Sequence, residues 1–162
     1  MEIEMNSVKF GLLLVLLTLV FGIGMGVTFG VVEDSVKTYI SEGVASHPDV
    51  HDEQSNSKIW RYAQRAHFHA TGIAAFSIGL ILLVMHSSLS VRAKKVTAIL
   101  VGLGGLYPLS WFTMFILAPS IGRGAAHHHF LTETFTYIGV AGLLAGIVLL
   151  SGNLFFGLLR EV

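Results

Sequence analysis

The chain has 162 residues, of which 53% are hydrophobic and 12% are charged, and its formal net charge at pH 7 is zero. A soluble domain carries about twice that share of charged residues, so the composition predicts a single membrane domain over residues 1–162. The neutral charge balance gives no indication of a nucleic-acid partner. Because the chain has no cysteine, disulfides, thiolate metal sites, iron–sulfur clusters and covalently attached c-type haem are excluded.

Four apolar runs are long enough to cross a bilayer, since roughly 20 helical residues span the hydrocarbon core. We predict spans at about 10–32, 62–86, 96–118 and 128–152. The first run follows two acids and one lysine and precedes no small-residue cleavage site, so we interpret it as a span and not as a signal peptide.

The polar loop 33–61 follows the first span. Its first half carries apolar residues at helical spacing, which predicts a short amphipathic surface helix that Gly43 and Pro48 end. In the third span, Pro108 predicts a kink and Pro119 predicts the end of the helix. A short connection over 119–127 is then expected before the fourth span.

Glycines recur at helical spacing on the first and fourth spans, which predicts close packing against neighbouring helices. They are Gly22, Gly26 and Gly30 on the first span and Gly139, Gly142 and Gly146 on the fourth. The spans and their short turns predict an all-α, antiparallel, up-down-up-down bundle. The basic turn 86–95 favours a cytoplasmic location for that turn and for both termini. The loop 33–61 then lies outside a bacterial or archaeal cytoplasmic membrane.

Two groups of histidines stand where the second and fourth spans enter the same membrane face: His67 and His69, and His127, His128 and His129. His67 and His69 are about 200° apart on a helix, so they do not both face the bundle axis. The deeper members, His69 and His129, are expected to be the buried ones. Glu133 lies about one turn further in and shares a helix face with His129.

This constellation predicts a b-type haem held by His69 and His129, with Arg65 and Arg123 pairing with its propionates. The alternative is a copper, iron or zinc ion bound by three or four of His67, His69, His127, His128, His129 and Glu133. A third reading has no cofactor, with the histidines in the interface. The histidine pattern resembles small membrane cytochrome b modules, and the resemblance covers only these few positions.

We therefore predict a membrane electron-transfer module near the outer face, more a redox or accessory subunit than a stand-alone enzyme. Its expected partners are lipid, subunits of a respiratory-type complex or further copies of the chain, and quinone or a periplasmic redox protein. Tyr107 and Trp111, four residues apart on the third span, fit the wall of a quinone pocket. The alternatives are a cofactor-free structural or assembly subunit and a metal-delivery or transport protein.

Overall fold

The computed structural model describes residues 2–160, with side chains from Met5 onwards, and no β-strand is found in this part of the chain. The all-α prediction is therefore confirmed for these residues. The helices are α1 Glu2–Ser46, α2 Ser55–His86, α3 Val91–Leu103, α4 Leu106–His127 and α5 Phe130–Phe156, with a 3-10 turn at Pro48–Val50. The ends of the predicted domain, residues 1 and 161–162, lie outside the described residues.

The part of the chain that the structure describes contains four stretches long and apolar enough to cross a membrane. They are Met5–Ser46, Ser55–His86, Val91–His127, which combines α3 and α4, and Phe130–Phe156. The predicted number of spans is thereby confirmed by length and composition. Large apolar side chains cover the outside of the helices: Val20 on α1 is 66% exposed and Val148 on α5 is 67% exposed.

The segment predicted as a separate surface helix is helical, but it continues α1. Val32, with φ −133° and ψ 33°, marks a kink, and the helix resumes beyond it. The segment packs against protein, because Ile40 is 2% exposed and the Tyr39 hydroxyl donates a hydrogen bond of 2.7 Å to the carbonyl of Ile116. The position of this segment therefore depends on its contacts with α4 as well as on its own amphipathic pattern.

The loop predicted at 33–61 is much shorter, because α2 begins at Ser55 and not near residue 62. Ser55 and Ile59 in the added turns are buried, at 1% and 0% exposure. Their burial stabilises helical geometry in a stretch that its polar residues suggested was a loop. Only residues 47–54, which we call the outer turn after the membrane side predicted for it, separate the two helices.

The third long stretch is interrupted at Gly104 and Gly105, three residues before the predicted kink at Pro108. The N–H groups of Gly104 and Gly105 donate to Val101 and Gly102, three residues back, at 3.1 Å each. Pro108 lies in the first turn of α4, where its missing N–H costs no helical hydrogen bond. The glycine pair therefore sets the position of the interruption.

The prediction that Pro119 ends this span is wrong. α4 continues to His127, and its backbone breaks instead at Gly122, with φ 80° and ψ 159°. That combination of angles is essentially restricted to glycine. The predicted connection over 119–127 is thus helical on both sides of one sharp break.

The predicted glycine packing is confirmed except at Gly30, which has no atom within 4 Å of an added Cβ. Cβ atoms on Gly22 and Gly26 would lie 2.8 Å from Thr71 and His67 of α2. Cβ atoms on Gly139, Gly142 and Gly146 would lie 2.6–2.9 Å from residues of α3 and α4. These glycines allow α1 to approach α2 closely, and α5 to approach the interrupted third stretch.

The helices are not arranged so that α2 and α5 are neighbours. α1 packs along α2 and α3, α2 packs along α4, and α5 packs along α3 and α4. α2 and α5 barely touch. α4 packs along both of them, so residues of α2 and residues at the start of α5 each contact α4.

Candidate functional site

The structure distributes the predicted site residues over four places. His67 belongs to the α1–α2 contact, His69 and Arg65 to the α2–α4 contact, Arg123 to a contact with the outer turn, and His127, His128, His129 and Glu133 to the α4–α5 junction. The two histidine groups both lie near Tyr107 and Trp111 of α4, but in the described residues they do not come together as a cluster of three metal ligands.

His67 holds α1 against α2. Its Nδ1 lies 2.8 Å from the carbonyl oxygen of Gly22 and donates a hydrogen bond to it. Its ring lies against Gly26 and meets Phe29 edge to face, with 6.0 Å between ring centroids. His67 therefore faces α1 and is satisfied by helix packing, away from the α4–α5 junction.

His69 faces α4 instead, as expected for a residue about 200° around the helix from His67. Its Nδ1–H donates to the carbonyl of Arg65 at 2.8 Å, which leaves the lone pair of the neutral ring on Nε2. Its ring packs on Tyr107 and stacks on Trp111, at centroid distances of 5.1 and 5.8 Å. The Arg65 guanidinium lies 4.7 Å from the Trp111 ring centroid, where it makes a cation–π contact.

The break at Gly122 decides what surrounds the histidine triplet. His127 follows Trp111 by sixteen positions, so an unbroken helix would hold them about 24 Å apart. Instead, His127 and His128 line the same pocket as Trp111 and Met114. The chain after Gly122 therefore turns back along α4, and this return brings the triplet to the aromatic residues.

The pocket between α4 and α5 has a volume of about 170 Å³. Its lining combines aromatic and apolar walls with groups that form hydrogen bonds: Tyr107, Ser110, Trp111, Met114, His127, His128, Thr132, Glu133, Thr136 and Tyr137. The indole N–H of Trp111 is buried and has no hydrogen-bond partner among residues 2–160. An unpartnered buried donor is costly, so an acceptor oxygen that reaches this N–H through a shift of the indole ring would stabilise this wall.

Glu133 pairs with His128 and not with His129. The Glu133 carboxylate lies 3.1 Å from His128 Nδ1, and both side chains are partly exposed. The His127 ring meets the His128 ring edge to face, with 4.9 Å between their centroids. A proton can move between a carboxylate and a neighbouring imidazole. The pair of Glu133 and His128 therefore gives the pocket groups that can exchange protons.

His129 is the N-cap of α5. Its Nδ1 accepts a hydrogen bond of 3.3 Å from the backbone N–H of Leu131. The neutral ring then carries its proton on Nε2, which leaves no nitrogen lone pair for a metal. His129 and Glu133 were predicted to share a helix face. The hydrogen bond found between them joins backbone groups: the Glu133 N–H donates to the His129 carbonyl at 3.0 Å.

Arg123 is held by the outer turn. Its guanidinium donates to Asp52 at 2.6 Å, and His51 Nε2–H donates to the carbonyl of Pro119 at 3.0 Å. A hydrogen bond from Ser55 lowers the pKa of the Asp52 carboxyl below its usual value, and the charge of Arg123 adds to this. The contacts of His51 and Asp52 with Pro119 and Arg123 were not predicted, since no local sequence pattern indicates them.

The described residues do not fit the predicted cofactors. In the part of the chain that the structure describes, no three His, Asp or Glu side chains come together as metal ligands. The Nε2 lone pair of His69 is available as an axial haem ligand. The predicted second ligand, His129, instead accepts the hydrogen bond that caps α5. The pocket volume of about 170 Å³ is also too small for a group as large as haem, since typical small-molecule and cofactor sites measure roughly 300–1,000 Å³. The haem and the metal ion stay sequence predictions.

Several pocket residues were not identified from the sequence, including Met114, Thr132 and Thr136. Met114 continues the spacing of Tyr107 and Trp111 along one face of α4, which is a signal that could have revealed it. The threonines on α5 carry no such signal. Comparison with known proteins returned no match to any family model, curated protein or solved structure.

Proposed function

We propose that the chain is an integral membrane protein whose long helices cross a bacterial or archaeal cytoplasmic membrane as an antiparallel bundle. The contacts between α1 and α2 support the antiparallel arrangement of these two helices. Gly22 lies against Ala70 and Thr71, whereas Gly26, which is further along α1, lies against His67, which is earlier on α2. The exposed apolar surface supports insertion. The basic turn between α2 and α3 supports a cytoplasmic location for that turn and both termini.

Sidedness can be tested directly because the chain has no cysteine. Glu53→Cys in the outer turn and Lys95→Cys near the start of α3 are both at exposed positions. We expect a membrane-impermeant maleimide to label Glu53→Cys in intact cells and Lys95→Cys only after lysis. The reverse pattern would invert the proposed orientation, and labelling of both in intact cells would contradict the proposed spans.

We propose further that the chain is an electron-transfer subunit that binds a quinone headgroup in the pocket between α4 and α5. The observation that carries this proposal is the buried, unpartnered indole N–H of Trp111 in the wall of a pocket that also holds the Glu133–His128 pair. A quinone carbonyl is an acceptor for such a donor. Its flat ring also matches aromatic walls such as Tyr107 and Trp111.

Quinone chemistry also requires protons, because two-electron reduction of a quinone takes up two of them. The Glu133–His128 pair is suited to exchange these protons with water, since both side chains are partly exposed. The isoprenoid tail would lie along the apolar outer surface of α5, where Leu144 and Val148 are exposed. Electrons would come from a redox centre on a partner subunit or on a periplasmic protein.

Equilibrium binding of a short-chain ubiquinone analogue to the purified protein tests this function. Trp111→Phe keeps an aromatic wall but removes the N–H, and we expect about tenfold weaker binding, the magnitude of one buried hydrogen bond. Trp60→Phe is the matched control, because Trp60 does not line this pocket. Absence of saturable binding, or equal affinity of the two variants, would overturn the proposal.

A reduced-minus-oxidised absorption spectrum of the same preparation separates this function from the haem prediction. We expect no α-band of b-type haem and no stoichiometric copper, iron or zinc by mass spectrometry. A b-type band that His69→Ala abolishes would instead establish a haem on α2 and remove the reason to assign the redox role to the pocket.

A further inference from the structure

A second cleft, larger than the pocket between α4 and α5, lies away from that pocket. It has a volume of about 600 Å³ and lies between the part of α1 beyond the Val32 kink and the first turns of α2. It is lined by Asp34, Lys37, Thr38, Ile40, Ser41, Asn56, Ser57 and Trp60. Its volume is in the range of small-molecule sites.

The cleft lies at the edge of the apolar surface. Val31, three residues before Asp34, is still 76% exposed, and the polar part of α1 starts immediately after Val32. Trp60 closes the other side and packs edge to face on Phe29, with 5.1 Å between ring centroids. Tryptophan is typical of the membrane–water interface. In the proposed orientation, the cleft is therefore at the depth of the outer lipid headgroups.

The charges in the cleft are of both signs. Lys37 is held by Glu33 at 2.5 Å and lies 5.4 Å from the centroid of the Trp60 ring. Asp34, one turn before Lys37, makes no ion pair with any described residue. The other lining groups are neutral, so the cleft presents one fixed cation and one available carboxylate.

A ligand that matches this lining has an ammonium group and a phosphate. The ammonium pairs with Asp34, and the phosphate pairs with Lys37 and accepts a hydrogen bond from the Asn56 side chain. A primary ammonium fits better than a quaternary one, because quaternary ammonium groups are bound by open aromatic faces. The one aromatic ring in the cleft lining, that of Trp60, is already covered by Lys37.

We propose that this cleft binds an ethanolamine-phosphate group, which is the headgroup of phosphatidylethanolamine and also part of soluble glycerophosphoethanolamine. This site is independent of the quinone function, because it shares no residue with the pocket between α4 and α5. The lipid would hold the beginning of α2 against the end of α1.

Native mass spectrometry of the delipidated protein tests the proposal, with phosphatidylethanolamine or phosphatidylglycerol added at equal concentration. We expect preferential binding of phosphatidylethanolamine. Asp34→Asn and Lys37→Gln should each weaken this binding about tenfold, as expected for loss of a charge-assisted hydrogen bond. Glu42→Gln is the control, since this exposed acid of the same segment does not line the cleft.

Each result decides the proposal. Equal binding of the two lipids, or variants indistinguishable from Glu42→Gln, would overturn it. Calorimetry with glycerophosphoethanolamine distinguishes the two sources of the group: binding as tight as that of the lipid would assign the cleft to the soluble compound. All three variants replace exposed side chains, and circular dichroism is expected to show unchanged helix content.

Discussion

The histidines of α2 and those of the α4–α5 junction differ in how the protein uses them. His67 and His69 each donate from Nδ1 to a backbone carbonyl at 2.8 Å and pack on aromatic or glycine residues. The His128 side chain is 75% exposed, and its hydrogen-bond partner among the described residues is the partly exposed Glu133. Histidines that occupy similar positions in the sequence therefore act as packing residues on α2 and as accessible polar groups at the junction.

The position of α4 explains this difference. α2 is enclosed by α1 on one side and α4 on another, whereas α5 packs only along the interrupted third stretch. A residue on α2 consequently meets a neighbouring helix over much of its circumference, and a residue at the start of α5 does not. Histidine clustering in a sequence thus indicates a metal site only if the helices concerned are neighbours.

The strongest perturbation of the α2 side is Gly22→Val. A Cβ at this position would lie 2.8 Å from Thr71 Cγ2 and 2.9 Å from the Thr71 backbone nitrogen, so α1 must move away and the His67 hydrogen bond to Gly22 must break. We expect a loss of about 3 kcal/mol in the free energy of unfolding, measured by denaturant titration in micelles. Gly24→Val is the control, because nothing lies within 4 Å of a Cβ there. Equal losses would show that α1 and α2 do not pack through Gly22.

On the other side, Gly122→Ala should separate the histidine triplet from the aromatic residues. Its φ of 80° and ψ of 159° are unfavourable for alanine, and the strain costs about 2 kcal/mol. We expect lower stability and altered Trp111 fluorescence in a Trp60→Phe background, as the return toward Trp111 relaxes. Gly124→Ala should leave both unchanged, since Gly124 has neither a positive φ nor an atom near its Cβ. An unchanged spectrum for Gly122→Ala would contradict the bend.

Alanine substitution of one histidine on each side compares the two regions directly. His67→Ala removes a hydrogen bond and leaves space beside Gly26, so we expect a loss of about 1–2 kcal/mol in unfolding free energy. His128→Ala removes a largely exposed contact, and the change should stay within about 0.5 kcal/mol. The measurement is again denaturant unfolding in micelles. A larger loss for His128→Ala than for His67→Ala would reverse the assignment of roles.

The smallest expected effect concerns the ion pair between Asp52 and Arg123. Because folding lowers the pKa of Asp52 below its usual value, its contribution to stability is present at higher pH and is lost as pH falls below about 4. Hydrogen exchange of residues 48–54 should therefore show little pH-specific loosening between pH 5 and 8 and a loss of protection in stronger acid. Asp52→Asn should remove this acid response, and Asp49→Asn should retain it. A loss of protection already between pH 5 and 8 would contradict the role of Asp52.

The sequence by itself determined the helical class, the four long apolar stretches and most of the close glycine contacts. These follow from local rules: run length fixes what can cross a bilayer, and spacing fixes which residues share a helix face. The aromatic pair Tyr107 and Trp111 was identified in the same way. The loop 33–61 was overestimated, because tertiary contacts stabilise helix in segments whose polar residues resemble a loop.

Only the tertiary structure decided which helices are neighbours and where the third stretch bends. The placement of α4 between α2 and α5 depends on contacts between residues far apart in the chain, which no local pattern encodes. The break at Gly122 and the use of His129 as a helix cap depend on backbone geometry that the residue types permit but do not require. For these reasons the sequence identified the histidines, whereas the fold assigned them to separate places.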